Sequence, residues 1–167
     1  GNTLREMSLT KQGTEDPAHQ RAAAAAGGVA PLVQLLRSGL EDERVEAQEY
    51  SLWSLSCTST GDRAQTLVEA GCIPCLVQAL SGGQLSAAAQ AHAATVLAFL
   101  AIDPANHAQI LQRNGIDPCV TLLTTGTLSA KRHAALALAR IAAGGDAHQE
   151  RIFAAGAVAP LVAWLGN

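Results

Sequence analysis

Two cysteines separated by two residues, Cys72 and Cys75, form the pattern in this sequence that comes nearest to a catalytic motif. A Cys-x-x-Cys pair at a helix N-terminus is typical of redox proteins, because the helix dipole lowers the pKa of a thiol there. Such redox pairs follow a β-strand, and we find no strand pattern here. A zinc site needs about four ligands, and no second cysteine or histidine pair lies nearby. We therefore expect no redox role, no bound metal and no other cofactor.

Histidines are the other residues whose type could support chemistry, and His92 and His133 occupy equivalent positions in two similar segments. If those segments are stacked helices, their axes lie about 8–10 Å apart, which is wide for shared metal ligation. A mild pH dependence of binding is the functional alternative to a structural role. The sequence contains no Gly-rich phosphate loop, nucleophile elbow or His-Glu-x-x-His motif. It therefore predicts a protein that is not an enzyme.

Composition narrows the classes further. The 167 residues carry a formal net charge of −3 and only 3% aromatic residues, so the core must consist mainly of Ala, Leu, Val and Ile. Mild acidity argues against nucleic-acid binding, which favours a basic surface. The longest strongly apolar run, Ala93 to Ile102, is too short for membrane insertion. Four cysteines without a secretory signal indicate free thiols, which predicts the cytoplasm, with the nucleus as the alternative.

One phrase of about ten residues occurs four times. Each copy contains Gly, then Pro three or four residues later, then apolar residues at helical spacing. The copies begin at positions 27, 71, 114 and 156, which differ by 44, 43 and 42 residues. A period of about 40–47 residues is typical of helical solenoids of the HEAT and armadillo class. Gly is expected to end a short helix in the left-handed conformation, and Pro fits the first turn of the next helix.

Further helical segments lie between the phrases. Three segments rich in small residues span 47–56, 91–101 and 134–143, and shorter apolar segments precede the Gly of the later phrases. Each unit is therefore predicted to hold a short first helix, a middle helix and a longer third helix. The core positions predicted for the third helices are Leu52, Leu55, Leu97, Leu100, Leu138 and Ile141.

The phrase and the segment from Gln48 to Ser56 resemble the armadillo repeat family. The resemblance covers roughly residues 16–167 and implies an all-α, right-handed α-solenoid. HEAT repeats and an unrelated helical bundle are the alternatives. The predicted units are a partial helix or tail at 1–15, repeats at 16–60, 61–102 and 103–143, and a partial repeat of two helices at 144–167.

The last unit ends in apolar residues without a third helix to cover them. Solenoid ends normally need polar caps. This end is expected either to be a cut piece of a longer array or to be covered by another copy or a partner.

In armadillo proteins, the third helices line a concave groove that takes extended peptides, and the resemblance implies such a groove here. We number each third helix backwards from a reference position 0, which is Cys57, Phe99 or Arg140. Positions 0, −4, −7, −8 and −11 then fall on one stripe of the helix. Twelve residues on this stripe are predicted to bind a partner, and we call them the third-helix face: Glu46, Glu49, Tyr50, Trp53, Cys57, His92, Thr95, Phe99, Arg132, His133, Leu136 and Arg140.

The third-helix face departs from the family at its most informative position. The resemblance implies an Asn at position 0 that binds the ligand's backbone, but Cys57, Phe99 and Arg140 stand there. The importin-like members carry Trp at position −4, where only Trp53 matches. A nuclear-localisation-signal receptor function is therefore not expected.

Aromatic and charged residues stand on the stripe in place of the repeated Asn. Tyr50, Trp53 and Phe99 lie on the stripe, and their rings are interpreted either as ligand contacts or as packing between third helices. Acidic residues lie at the first repeat and basic ones at the third, which is either a solvated surface or a graded binding site. We predict a non-enzymatic scaffold that binds a protein segment, either an extended peptide or a partner helix. Structural self-assembly through the C-terminal end is the alternative.

Overall fold

The computed structural model describes residues 28–59 and 61–165. These residues form ten α-helices and two short 3₁₀ turns, at Gly61–Arg63 and Pro104–Asn106, and no β-strand. The helices are α1 Val29–Glu41, α2 Val45–Thr58, α3 Ala64–Glu69, α4 Cys72–Ser81, α5 Ala87–Leu100, α6 His107–Gln112, α7 Ile116–Thr125, α8 Leu128–Ala142, α9 Asp146–Ala154 and α10 Val158–Leu165. The predicted unit at 1–15 and the start of the first repeat lie outside the described residues.

The helices are arranged as two layers. The third helices α2, α5 and α8 pack side by side in chain order, and the middle helices α1, α4, α7 and α10 do the same behind them. The short helices α3, α6 and α9 each precede a middle helix. The prediction of an all-α solenoid is confirmed. The predicted unit boundaries after residues 60, 102 and 143 remain proposals, and each falls between two helices.

The core runs continuously along the solenoid between the layers. All six apolar residues predicted for the third helices are buried. Small residues fill the seams between neighbouring third helices, where Ser51, Ala93 and Ala134 are completely buried. Small side chains let the helix backbones approach closely, so the core forms with few aromatic rings.

The Pro of the repeated phrase lies in the first turn of a helix in all four copies, as predicted, whereas a left-handed Gly is described in two of them. Gly71 and Gly156 adopt the left-handed conformation, with φ of 80° and 79°. The third copy is different: Asn114 takes the left-handed position with φ of 58°, and the prediction that Gly115 would do so is wrong. Asn tolerates this conformation better than most residues. Pro is the third residue of each middle helix, where no intrahelical bond to its nitrogen is lost.

Gly115 is required for another reason. A Cβ atom at this position would lie 2.6 Å from Ile110 Cγ2 and 3.3 Å from Val77 Cγ2. The short helix α6 therefore approaches the start of α7 so closely that a side chain at position 115 does not fit.

None of the helices among the described residues is long and apolar enough to cross a bilayer.

We expect Gly115→Ala to lower the free energy of unfolding by about 1–3 kcal/mol, because the added methyl group overpacks the junction. Gly82→Ala is the matched control, since its backbone is helical and its Cβ would meet Gln78 O at 3.4 Å, an ordinary contact. The control is expected to be neutral or to stabilise by up to about 1 kcal/mol. Urea denaturation measures both. Equal stabilities for the two variants would contradict this packing at Gly115.

Candidate functional site

The twelve residues of the third-helix face all remain at least partly accessible. Glu46, Tyr50, Arg132 and Leu136 are exposed, and the other eight are half-buried. The opposite sides of the same helices hold fully buried core residues such as Leu52, Leu97 and Ile141. The sequence pattern therefore separated the inward side of each third helix from the outward one.

Three residues of this face also hold neighbouring helices together. Glu49 Oε1 on α2 accepts a hydrogen bond of 3.0 Å from the Ser86 backbone N–H, directly before α5. The Arg140 guanidinium on α8 donates to the backbone oxygen of Ala98, in the last turn of α5. That carbonyl belongs to a helix C-terminus, where a cation is favourable. These contacts fix the positions of Glu49 and Arg140 on the surface.

The third such residue is His92, whose Nδ1 lies 2.9 Å from Ser56 Oγ on α2. The single hydroxyl hydrogen of Ser56 is directed to the Trp53 carbonyl oxygen, at 2.7 Å. The Ser56 hydroxyl therefore joins the last turn of α2 to the His92 ring on α5. Partial burial lowers the pKa of His92, because the protonated form loses solvation there.

Apolar side chains occupy the centre of the face. The rings of Tyr50 and Trp53 are tilted by 44° with centroids 6.1 Å apart, so they form one aromatic surface on α2. Phe99 on α5 packs partly against the core. Phe99 therefore has a packing role, whereas Tyr50 and Trp53 remain accessible on α2.

One residue on this side escaped the sequence analysis. Leu128, at the start of α8, is 73% exposed. It lies four residues before Arg132 and eight before Leu136, so it continues their stripe. The four-residue spacing from Arg132 could have indicated Leu128, but the predicted stripe ended at position −11, one residue after Leu128.

Two further polar side chains of the face are bound within their own helices. Thr95 Oγ1 donates to Ala91 O, and His133 Nδ1 donates to Ser129 O. Cys57 is half-buried. No group of three or more potential metal ligands occurs in the part of the chain that the structure describes.

The Cys72-x-x-Cys75 pair lies in the core. Both residues are buried, and burial raises the pKa of the Cys72 thiol above its ordinary value, with Cys75 adding to the effect. Burial likewise raises the pKa of Cys119 to about 12. A reactive cysteine requires the thiolate, so this environment opposes redox chemistry at the pair.

Comparison with solved structures finds designed proteins of the same architecture. A designed armadillo repeat protein in complex with the peptide (KR)4 is 25% identical with a TM-score of 0.73, covering 92% of this chain and 63% of that one. Computationally designed armadillo repeat proteins for modular peptide recognition are 26% identical with a TM-score of 0.75, covering 89% and 61%. An engineered protein is 31% identical with a TM-score of 0.71, covering 88% and 58%.

These similarities establish the class: the chain is an armadillo-type repeat solenoid. It spans about three fifths of the length of the designed armadillo proteins it matches. No protein-family model matches the sequence, and no curated protein does.

The lowered pKa of His92 predicts a pH dependence of stability. The unfolded chain takes up a proton near the ordinary pKa of 6.5, before the folded protein does, so stability falls as the pH drops through that value. Wild type is expected to lose more stability between pH 7.5 and 5.5 than His92→Gln does. Denaturant unfolding at several pH values measures this. Identical pH profiles for the two proteins would contradict it.

Proposed function

We propose that this chain is a non-catalytic scaffold that binds an extended segment of another protein on the third-helix face. The observation that carries this proposal is the accessible aromatic surface that Tyr50 and Trp53 form on α2. Aromatic residues at the centre of a surface are frequent binding hot spots. The designed proteins with this fold that bind peptides support the same assignment.

The mode of binding is expected to differ from regular backbone clamping. Such clamping needs an amide side chain on successive third helices, and position 0 carries Cys57, Phe99 and Arg140 instead. Arg140 is already bound to α5, and Phe99 contributes to the core. Side-chain contacts with the ligand must therefore supply more of the affinity. The predicted cytoplasmic location agrees with this role and remains a prediction.

Replacing Trp53 and Phe99 together with Ala tests the proposal. Peptides selected from a random displayed library against the wild-type protein serve as ligands. We expect the double variant to bind them at least tenfold more weakly, because aromatic hot spots each contribute more than about 1 kcal/mol. Fluorescence anisotropy measures the affinities.

Two further variants make the result interpretable. Since Phe99 packs against the core, Tyr50→Ala with Trp53→Ala is the second arm, and circular dichroism checks the folding of each variant. Phe153→Ala is the control, because Phe153 is 71% exposed and belongs to the short helix α9 rather than to a third helix. Unchanged affinity in both folded double variants would refute this binding site.

A second function, self-assembly through the C-terminal end, is favoured by one separate observation. Val158 and Val162 on α10 are exposed, whereas the equivalent residues of α1, Val29 and Val33, are buried. A second copy of the chain would cover this apolar surface. Light scattering over a range of concentrations tests it: a dimer or larger species that Val162→Glu disrupts, and Thr124→Glu does not, supports self-assembly, and a strict monomer excludes it.

A further inference from the structure

The charged residues of the third helices are separated by sign. The charged residues of helix α2 are both acidic, Glu46 and Glu49, and α5 contains no Asp, Glu, Lys or Arg. The charged residues of helix α8 are all basic: Lys131, Arg132 and Arg140. A surface that only needs solvation requires charge but not this order. The sorted arrangement therefore calls for a more specific explanation.

Helix stability does not explain the placement of Lys131 and Arg132. The N-terminus of a helix favours acidic residues, because its dipole is positive there. Helix α8 has no acidic residue in its first turn and carries Lys131 and Arg132 close to that end. Cations in this position cost some helix stability, so their placement points to a partner outside the helix.

The outermost charges also have no partner in the part of the chain that the structure describes. Glu46 and Arg132 are both exposed. Neither side chain forms a hydrogen bond or ion pair with another residue of the described ranges. Both charges are therefore available to an external ligand.

We propose that the third-helix face recognises an extended peptide with opposite charges at its two ends: basic residues beside α2, an apolar centre over α5, and acidic residues beside α8. This inference rests on the proposed function and adds the chemistry of the ligand. The designed protein in complex with (KR)4 takes an entirely basic peptide. The basic residues of α8 would repel the end of such a peptide.

The helix spacing sets the distance between the ligand's charges. Neighbouring packed helices lie about 8–10 Å apart, so α2 and α8 are separated by roughly 16–20 Å. An extended chain advances about 3.3 Å per residue. The basic and acidic groups of the ligand are therefore expected about five or six residues apart. Between those charges, α5 presents small side chains, since Ala88 is exposed and Ala91 is half-buried.

Three fluorescent peptides of equal length test this assignment. All share a four-residue centre of leucine and tyrosine. One has two lysines before the centre and two glutamates after it, the second has lysines at both ends, and the third has glutamates at both ends. We expect the mixed peptide to bind wild type about three- to tenfold more tightly than either other peptide at low salt. The advantage should shrink at higher ionic strength.

Charge reversals assign each end. Glu46→Lys should weaken the mixed peptide and strengthen the all-glutamate one, and Arg132→Glu should weaken the mixed peptide and strengthen the all-lysine one. Glu150→Lys and Arg113→Glu are matched controls, because both residues are exposed and lie outside the third helices. The controls should preserve the wild-type order of affinities.

The outcomes separate this inference from the function beneath it. If wild type binds all three peptides equally, or the reversals at Glu46 and Arg132 act like their controls, the charge assignment is overturned. In that case, weaker binding by the Tyr50/Trp53 double variant would leave the proposed function standing. If wild type binds none of the peptides, the charge assignment fails, and the library selection decides the function independently.

Discussion

The close contact between successive third helices determines the rest of this structure. One repeat cannot bury its apolar surface alone, so each unit depends on stacking against the next. Here the stacking uses small side chains, and Ala89, Ala93 and Ala94 on α5 are buried, as are Ala130, Ala134 and Ala137 on α8. Because small residues occupy the contacts between the third helices, the aromatic side chains of α2 remain on the outer surface. The spacing of the seams also fixes the separation of the charged helices.

Polar contacts at the edge of those seams give the outer surface a defined shape. Glu49, His92 and Arg140 each bind a group at the neighbouring helix or just before it. Such contacts restrict the rotamers of surface residues, which lowers the entropy lost when a ligand binds. The same residues that sequence reasoning assigned to a ligand therefore have a structural role as well.

The periodic features of the fold were predictable from the sequence. Leu55, Leu97 and Leu138 repeat at the unit period, so their burial followed from the pattern alone. Contacts that depend on close approach were not predictable. Gly115 is constrained by Ile110 rather than by its own backbone, and Asn114 takes the left-handed position in its place. The bond from Arg140 to Ala98 joins residues 42 positions apart, and no local pattern indicates it. Leu128 was missed because one stripe was counted from a single reference position.

The two tryptophans provide the most direct test of where the protein binds. Trp53 lies on the third-helix face and Trp164 lies on α10, so their indole N–H signals in a ¹⁵N-correlated NMR spectrum report on the two candidate surfaces separately. Trp53→Phe assigns the signals. On titration with a library-selected peptide, we predict that the Trp53 signal shifts progressively while the Trp164 signal stays in place. A shift of Trp164 with Trp53 unchanged would contradict binding on the third-helix face.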